Sequence, residues 1–156
     1  MIKIFKPLEM PTLSADKLAV FLAGSIEMGV AENWQLKVER ALQDHNVILL
    51  NPRRDDWDTS WEQKIENVQF NEQVTWELNC LEYSDHIIMY FDPKTMSPIS
   101  LLEFGLFARS GKLLVVCPDG FWRKGNVDIV CKKYKVSQFK NLDDVISFLK
   151  FKSNNF

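Results

Sequence analysis

The sequence predicts an α/β fold, in which a doubly wound, mostly parallel open sheet forms the middle layer of a three-layer sandwich. Four short apolar runs predict buried strands, and the segments between them predict helices that cross over from strand to strand. The chain has 156 residues, and no linker divides it. We therefore expect a single domain over residues 1–156, with a short N-terminal extension over residues 1–17.

The apolar runs have the length of strands, and turn residues follow each of them. They cover residues 18–23, 47–50, 85–91 and 113–117. The turn residues, in the same order, are Gly24-Ser25, Asn51-Pro52, Asp92-Pro93 and Pro118. A fifth short strand is expected to begin at Val136. Ligands of such sheets bind outside the carboxyl ends of the strands, so a site is expected among these turns.

The remaining segments show a helical period or helix-capping signals. Helices are expected over residues 33–44, 68–83, 98–110, 127–134 and 142–151. The third has the clearest ends, because Ser97 is a favoured N-cap residue, Pro98 suits the first helical position and Gly111 follows the end. Residues 53–64 are charged and aromatic without a period, which is typical of a loop or lid.

Composition argues against several classes of protein. A net charge of -2 argues against a protein that coats nucleic acid. No apolar run approaches the ~18–20 residues that span a membrane, so no membrane partner is expected. Three cysteines and two histidines argue against a disulfide scaffold, and no metal site or cofactor is predicted. The N-terminus lacks the features of a signal peptide, and we expect a cytoplasmic, reduced protein.

Glu103 is the most informative residue, because it lies in a segment that is otherwise almost entirely apolar. A helix that is apolar nearly all round is normally buried. A buried carboxylate has to be paired, protonated or open to a site. Glu103 lies early in its helix, near the strand ends, where it could face a ligand. The alternatives are a structural pair with Arg or Lys, or a side chain turned to solvent.

Four segments resemble the nucleoside 2-deoxyribosyltransferase superfamily. Residues 97–112 (SPISLLEFGLFARSGK) resemble its glutamate helix, and residues 21–26 (FLAGSI) its first strand and loop. The Gly-Ser-Ile version of that loop is similar to the 2'-deoxynucleoside 5'-monophosphate N-hydrolase branch. Residues 51–57 and 120–127 look like the branch described as nucleoside 2-deoxyribosyltransferase-like. The resemblance extends from about Val20 to Tyr134.

The resemblance implies that Glu103 is a nucleophile. In the family, a Glu attacks the anomeric carbon of a deoxyribose and expels the base, and a second base or water then takes the sugar. The leading function is therefore a nucleoside deoxyribosyltransferase, with nucleosides or nucleotides and free nucleobases as its small-molecule partners. One alternative is a nucleoside 5'-monophosphate N-hydrolase. Another is a non-catalytic nucleotide-binding or sensory domain, since Phe21 and Ser97 replace polar catalytic groups of the family.

Two further roles follow from the same resemblance. Asp92 matches an Asp near the base and is expected as general acid or base-binding group, although a turn-forming role ahead of Pro93 is equally expected. Asn126 resembles an Asn that a neighbouring subunit contributes to the sugar hydroxyls. This implies a homodimer or larger homo-oligomer with shared active sites. The alternative for Asn126 is a helix N-cap.

The loop after the first predicted strand bears on whether the substrate carries a 5'-phosphate. Backbone N–H groups beside Gly24 and the hydroxyl of Ser25 could hold an anion or a sugar hydroxyl. The N-hydrolase branch has a basic residue where this chain has Glu27, and a carboxylate opposes a phosphate. Arg53 could reverse that effect by a bidentate contact, as could Arg54 or Arg123.

Trp57, together with Trp61, follows the second strand in a polar loop. These rings could stack on a nucleobase or close over it. The alternative is a position at the edge of the core or in a subunit contact.

Overall fold

The structure is a computed structural model that describes residues 1–27, 31–56 and 58–156, so the expectation for Trp57 lies outside the described residues. The strands are β1 (Lys3–Phe5), β2 (Leu18–Gly24), β3 (Val47–Leu50), β4 (His86–Tyr90), β5 (Leu113–Val116) and β6 (Ser137–Phe139). The helices are α1 (Trp34–Ala41), α2 (Val68–Tyr83), α3 (Pro98–Phe107), α4 (Lys124–Tyr134) and α5 (Leu142–Ser153).

The strands form one parallel sheet in the order β1-β3-β2-β4-β5-β6. One apolar cluster joins the sheet to α2, α3 and α4, and a second joins its other face to α1 and α5. The doubly wound, three-layer α/β sandwich predicted from the sequence is thereby confirmed, and it is of the Rossmann or flavodoxin type. None of the described helices is both long and apolar enough to span a bilayer.

Strand β2 lies at the centre of both clusters, and all seven of its residues are buried. Phe21 and Ala23 face the layer of α2 and α3, whereas Val20 and Leu22 face the layer of α1 and α5. Because both faces of β2 are buried, its sequence is a continuous apolar run instead of the alternating pattern of a strand with one exposed face. Each large side chain buried here contributes about 1.5–3 kcal/mol.

Several element boundaries differ from expectation, and three differences matter here. The N-terminal extension contains β1, which pairs with β3 at the sheet edge and is too short to give a sequence signal. Helix α3 ends at Phe107 instead of Ser110, and α4 begins at Lys124 instead of Val127. A helix that starts earlier changes the local role of Asn126, as described below.

The topological switch point lies between β2 and β4. The chain leaves β2 towards β3 on one side and leaves β4 towards β5 on the other, so a crevice opens beyond the carboxyl ends of the two central strands. Gly24 ends β2 in register with Tyr90 of β4. Its φ of +127° suits glycine alone, and a Cβ there would lie 2.7 Å from the Tyr90 nitrogen and closer still to the Tyr90 carbonyl oxygen.

Gly24→Ala should therefore lower the free energy of unfolding by about 2–4 kcal/mol, because backbone has to move at the junction of the central strands. Urea denaturation followed by circular dichroism measures this. Gly125→Ala is the matched control, since a Cβ at Gly125 meets nothing within 4 Å. Equal stability of the two variants would contradict the structural role of Gly24.

Candidate active site

Helix α3 turns its carboxylate inward and three of its large aliphatic side chains outward. Glu103 is only 8% exposed, whereas Ile99, Leu102 and Leu106 are each about 60% exposed. The expectation of a helix buried nearly all round is therefore wrong. The inward face is built from Ser100, Glu103 and Phe104, so the buried carboxylate is a feature of the face that packs on the sheet.

Glu103 has no countercharge within the part of the chain that the structure describes. No ion pair or hydrogen bond to its carboxyl group occurs among these residues. Burial, and to a lesser degree the charge of Glu77, raises the pKa of Glu103 to about 8. Glu103 therefore does not form a structural pair with Arg or Lys among these residues, which was one of the alternatives.

Glu77 on α2 is a second carboxyl group near Glu103, close enough for its charge to raise the pKa of Glu103, and sequence reasoning missed it. Burial raises the pKa of Glu77 to about 7. Gln73, one turn earlier, donates a 2.7 Å hydrogen bond from Nε2 to Glu77 Oε1, and Arg54 Nε donates to Gln73 Oε1 at 2.8 Å. The amide and the nearby cation both favour the ionised form of Glu77.

A periodic signal could have found Glu77. Gln73, Glu77 and Cys80 follow each other at helical spacing, and both Gln73 and Cys80 are buried. A carboxylate on the buried face of α2 is the same anomaly that identifies Glu103 on α3.

The charge of Glu77 disfavours the ionisation of Glu103, so the two carboxyl groups interact. Between their pKa values of about 7 and about 8, the pair holds one proton. That proton resides mainly on Glu103, because Gln73 and Arg54 stabilise negative charge on Glu77. Between these two values, the predominant form has an ionised Glu77 and a protonated Glu103.

Asp92 is buried at the end of β4, and backbone N–H groups occupy both of its oxygens. Lys94 N donates to Oδ1 at 2.9 Å, and Glu32 N donates to Oδ2 at 3.2 Å. The first contact is an Asx-type turn, and the second ties the loop before α1 to the end of β4. These contacts correspond to the turn-forming alternative for Asp92.

Three buried hydroxyl groups join the loop after β2 to the start of α3. Ser25 Oγ lies 2.6 Å from Ser97 Oγ and accepts from Thr95 Oγ1 at 3.0 Å, and Thr95 Oγ1 lies 2.7 Å from Ser97 Oγ. Ser25 Oγ also accepts from Asp92 N at 2.8 Å. The hydroxyl of Ser25 therefore holds the strand ends together.

Ser97 does not cap α3 with its side chain, which corrects the expectation. It has a φ of +47°, and its hydroxyl bonds to Ser25 and Thr95 instead of to a helix N–H group. Glu27 supplies the acceptor for the backbone: its Oε1 accepts from Met96 N at 2.7 Å and from Ser97 N at 2.5 Å. A carboxylate 70 residues away in sequence thus occupies the helix start.

Arg53 is a structural residue of the loop before α1. Its Nη1 donates to Glu32 O at 3.0 Å and to Gln35 Oε1 at 3.3 Å, and its Nη2 donates to Ala31 O at 2.9 Å. Burial lowers the pKa of its guanidinium group. These bonds direct the guanidinium to the protein's own carbonyl groups.

Asn126 lies apart from this cluster within one chain. It is exposed in the first turn of α4, whose N-cap position is occupied by Arg123, so the N-cap alternative is wrong. Across the ranges that the structure covers, no group of three or more His, Cys, Asp or Glu side chains is arranged to hold a metal ion.

Comparison with known proteins gives a family and a fold. A family model described as nucleoside 2-deoxyribosyltransferase-like matches residues 17–121. No curated protein matches the sequence. The crystal structure of a conserved protein from Enterococcus faecalis V583 superposes with a TM-score of 0.61 at 12% identity, over 87% of this chain and 99% of that one.

The buried carboxyl group of Glu103 should make the protein less stable as pH rises. Its pKa is about 8 in the folded protein against 4.5 ordinarily, so the folded state binds the extra proton between these values and stability falls as pH rises through them. Glu103→Gln should raise the free energy of unfolding at pH 8.5 by about 1–4 kcal/mol, and by much less at pH 5.

Urea denaturation at a series of pH values measures this difference. Glu72→Gln, which removes an exposed carboxylate from α2, should follow the wild-type curve. Parallel curves for wild type and Glu103→Gln would contradict a buried, protonated Glu103.

Proposed function

Because the chain belongs to the nucleoside 2-deoxyribosyltransferase-like family, we propose that it cleaves the N-glycosidic bond of 2'-deoxynucleosides and passes the sugar to a second nucleobase. The observation that carries this proposal is the Glu103–Glu77 pair. Two carboxyl groups with raised pKa values, Glu103 buried on α3 and Glu77 half-buried on α2, suit the nucleophile and the acid that this chemistry needs.

The first step needs a nucleophile and an acid. A Glu103 oxygen forms a bond with C1', the bond between C1' and the base nitrogen breaks, and its electron pair passes to the base. The shared proton moves to the leaving base through Glu77. In this proposal Glu77, instead of Asp92, handles the base, because both oxygens of Asp92 are engaged by backbone N–H groups.

The ionisation state follows the reaction. In the free protein the proton resides mainly on Glu103, but positive charge that develops at C1' lowers the pKa of the adjacent carboxyl group. Negative charge therefore concentrates on Glu103 as the bond to the base weakens, and the proton is available for Glu77 and the base. The absence of an ion pair to Glu103 among the described residues suits this role, because a cation beside it would oppose the sugar's developing charge.

The second step reverses the first. An incoming base attacks C1' and loses its proton to Glu77, and the ester bond to Glu103 breaks, which restores the carboxylate and the shared proton. Two displacements at one carbon retain the configuration. Water in place of the base would give free deoxyribose.

Glu103→Gln should reduce the release of base from deoxynucleosides by at least about 1,000-fold, because an amide is a poor nucleophile. Glu77→Gln should reduce it by about 100- to 10,000-fold, the usual value of an acid–base group. Chromatography of each deoxynucleoside, with and without a second free base, measures both.

Glu72→Gln on the same helix as Glu77 should retain activity. A covalent adduct on Glu103 with a slow 2-fluoro sugar analogue, detected by mass spectrometry, tests the intermediate. Tight binding of a deoxynucleoside by the wild type with no base release would favour the non-catalytic reading.

We also propose that a second copy of this chain covers the outer face of α3. Ile99, Leu102 and Leu106 form an apolar stripe at spacings of three and four, and Met96 and Trp122 adjoin it through the hydrogen bond from Trp122 Nε1 to Met96 O. An uncharged apolar patch is complementary to itself, as a two-fold interface requires.

Two other features fit a homo-oligomer. Residues 109–152 carry ten basic and four acidic side chains, whereas the rest of the chain carries nine and 17, so opposite charges of two copies can attract. Asn126 is exposed on α4, where it is available to a neighbouring copy.

Leu102→Glu should convert the oligomer to a monomer, because a carboxylate in an apolar two-fold interface meets its own copy and has no partner. Sedimentation velocity at micromolar concentration measures the mass. Phe151→Glu, at a 66% exposed position on α5, should leave the oligomer intact. A wild type that sediments as a monomer at high concentration would refute this interface.

A further inference from the structure

Two consecutive hydrogen bonds connect the loop after β3 to the carboxyl group of Glu77. Arg54 Nε donates to Gln73 Oε1 at 2.8 Å, and Gln73 Nε2 donates to Glu77 Oε1 at 2.7 Å. Gln73 is only 4% exposed, and its Nε2 also lies 3.5 Å from the carbonyl oxygen of Pro52. Arg54, Gln73 and Glu77 thus form a relay in which the amide of Gln73 is the middle group.

The orientation of the Gln73 amide depends on Arg54. A glutamine side chain exchanges its oxygen and nitrogen by a half-turn about its last bond, and its neighbours decide between the two orientations. Glu77 alone does not decide, because a carboxyl group accepts a hydrogen bond when ionised and donates one when protonated. The guanidinium group of Arg54 can only donate, so it holds the amide oxygen towards itself and the amide nitrogen towards Glu77.

Arg54 is itself held in place by an aromatic ring. Its Cζ lies 4.9 Å from the centre of the Trp61 ring, a cation–π distance. No ion pair between Arg54 and Glu77 occurs among the described residues. The polar contact between this cation and the carboxyl group therefore runs through the amide of Gln73.

The relay also distinguishes the two oxygens of Glu77. Oε1 accepts from Gln73, whereas Oε2 accepts no hydrogen bond from the residues that the structure describes. Oε2 is thus the oxygen that can take up a proton and pass it on. The ionisable groups that interact with Glu77 here are Arg54, Glu103 on α3 and the thiol of Cys80, and Arg54 is the cation among these three.

We propose that Gln73 is a positioning residue for Glu77, and that Arg54 fixes its amide in the orientation that donates to Oε1, so that the proton passes through Oε2. This inference rests on the proposed function: the proton leaves Glu103, binds Oε2 of Glu77 and moves to the nitrogen of the departing base. Without a donor at position 54, the amide can turn its oxygen to Glu77. A proton on Oε1 would then be held by Gln73 instead of passing to the base.

NMR titration of the Glu77 carboxyl carbon tests the relay. The protein carries isotope-labelled glutamate, and the Glu77 signal is the one that Glu77→Gln removes. Arg54→Met should raise the pH midpoint of this signal by about one unit. Arg54→Lys, which keeps a group that can only donate, should return the midpoint most of the way to the wild-type value. Arg40→Met, at an exposed position on α1, should leave it unchanged.

A double-mutant cycle with Gln73→Met separates the relay from the direct effect of the Arg54 charge. Methionine has the length of glutamine but no amide. In this background, Arg54→Met should raise the midpoint by less than about half of the rise that it causes beside Gln73. The acidic limb of the pH profile of kcat/KM should move to higher pH in the same order, because the reaction needs the form in which the two carboxyl groups hold one proton.

Two results would overturn the inference: an equal rise with and without Gln73, or an Arg54→Lys midpoint equal to that of Arg54→Met. The second comparison does not use Gln73→Met, so it decides even if that variant does not fold. The titration requires no turnover, which separates the relay from the proposed function. Midpoints as expected without base release would refute the function alone, and unchanged midpoints with base release would refute the relay alone.

Discussion

The burial of Glu103 beside Glu77 is the interaction on which the rest of the site depends. Neither carboxyl group lies next to a cation strong enough to keep both ionised, so the two compete for negative charge. The fold enforces this competition by packing α2 and α3 side by side over β2. A hydrophobic residue at either position would stabilise the fold more than a carboxyl group does. Active sites commonly lower the stability of the fold that carries them in this way.

A second set of contacts fixes the geometry around this pair. Ser25, Thr95 and Ser97 join the ends of the central strands by hydroxyl groups, and Glu27 satisfies the N–H groups ahead of α3. The sequence offered Ser25 and Ser97 as candidates for the ligand site. In the structure they bind one another, so their effect on a ligand is to place α3 and to set the charge at its start.

The sequence was sufficient for the sheet and most helix positions, because apolar runs and helical periods report burial directly. The sequence did not predict the roles of residues whose contacts are with residues distant in sequence. Ser97 has the composition of an N-cap, but in the fold its hydroxyl group bonds to Ser25 and Thr95 instead of to a helix N–H group. Glu77 went unnoticed because its helix is of mixed polarity, and only the packing of α2 against α3 brings it to Glu103. Strand β1 has three residues, too few for a period.

The inverted polarity of α3 has a consequence for how the protein behaves on dilution. The helix that carries the Glu103 carboxyl group inward also carries exposed apolar side chains outward, and both surfaces belong to one rigid helix. A partner that covers the outer face of α3 would therefore also restrain its inner face. Under the proposed function and the proposed subunit contact, catalytic capacity and subunit association would be thermodynamically linked: dilution would leave α3 freer to move, and a ligand that fixes its inner surface would strengthen the association.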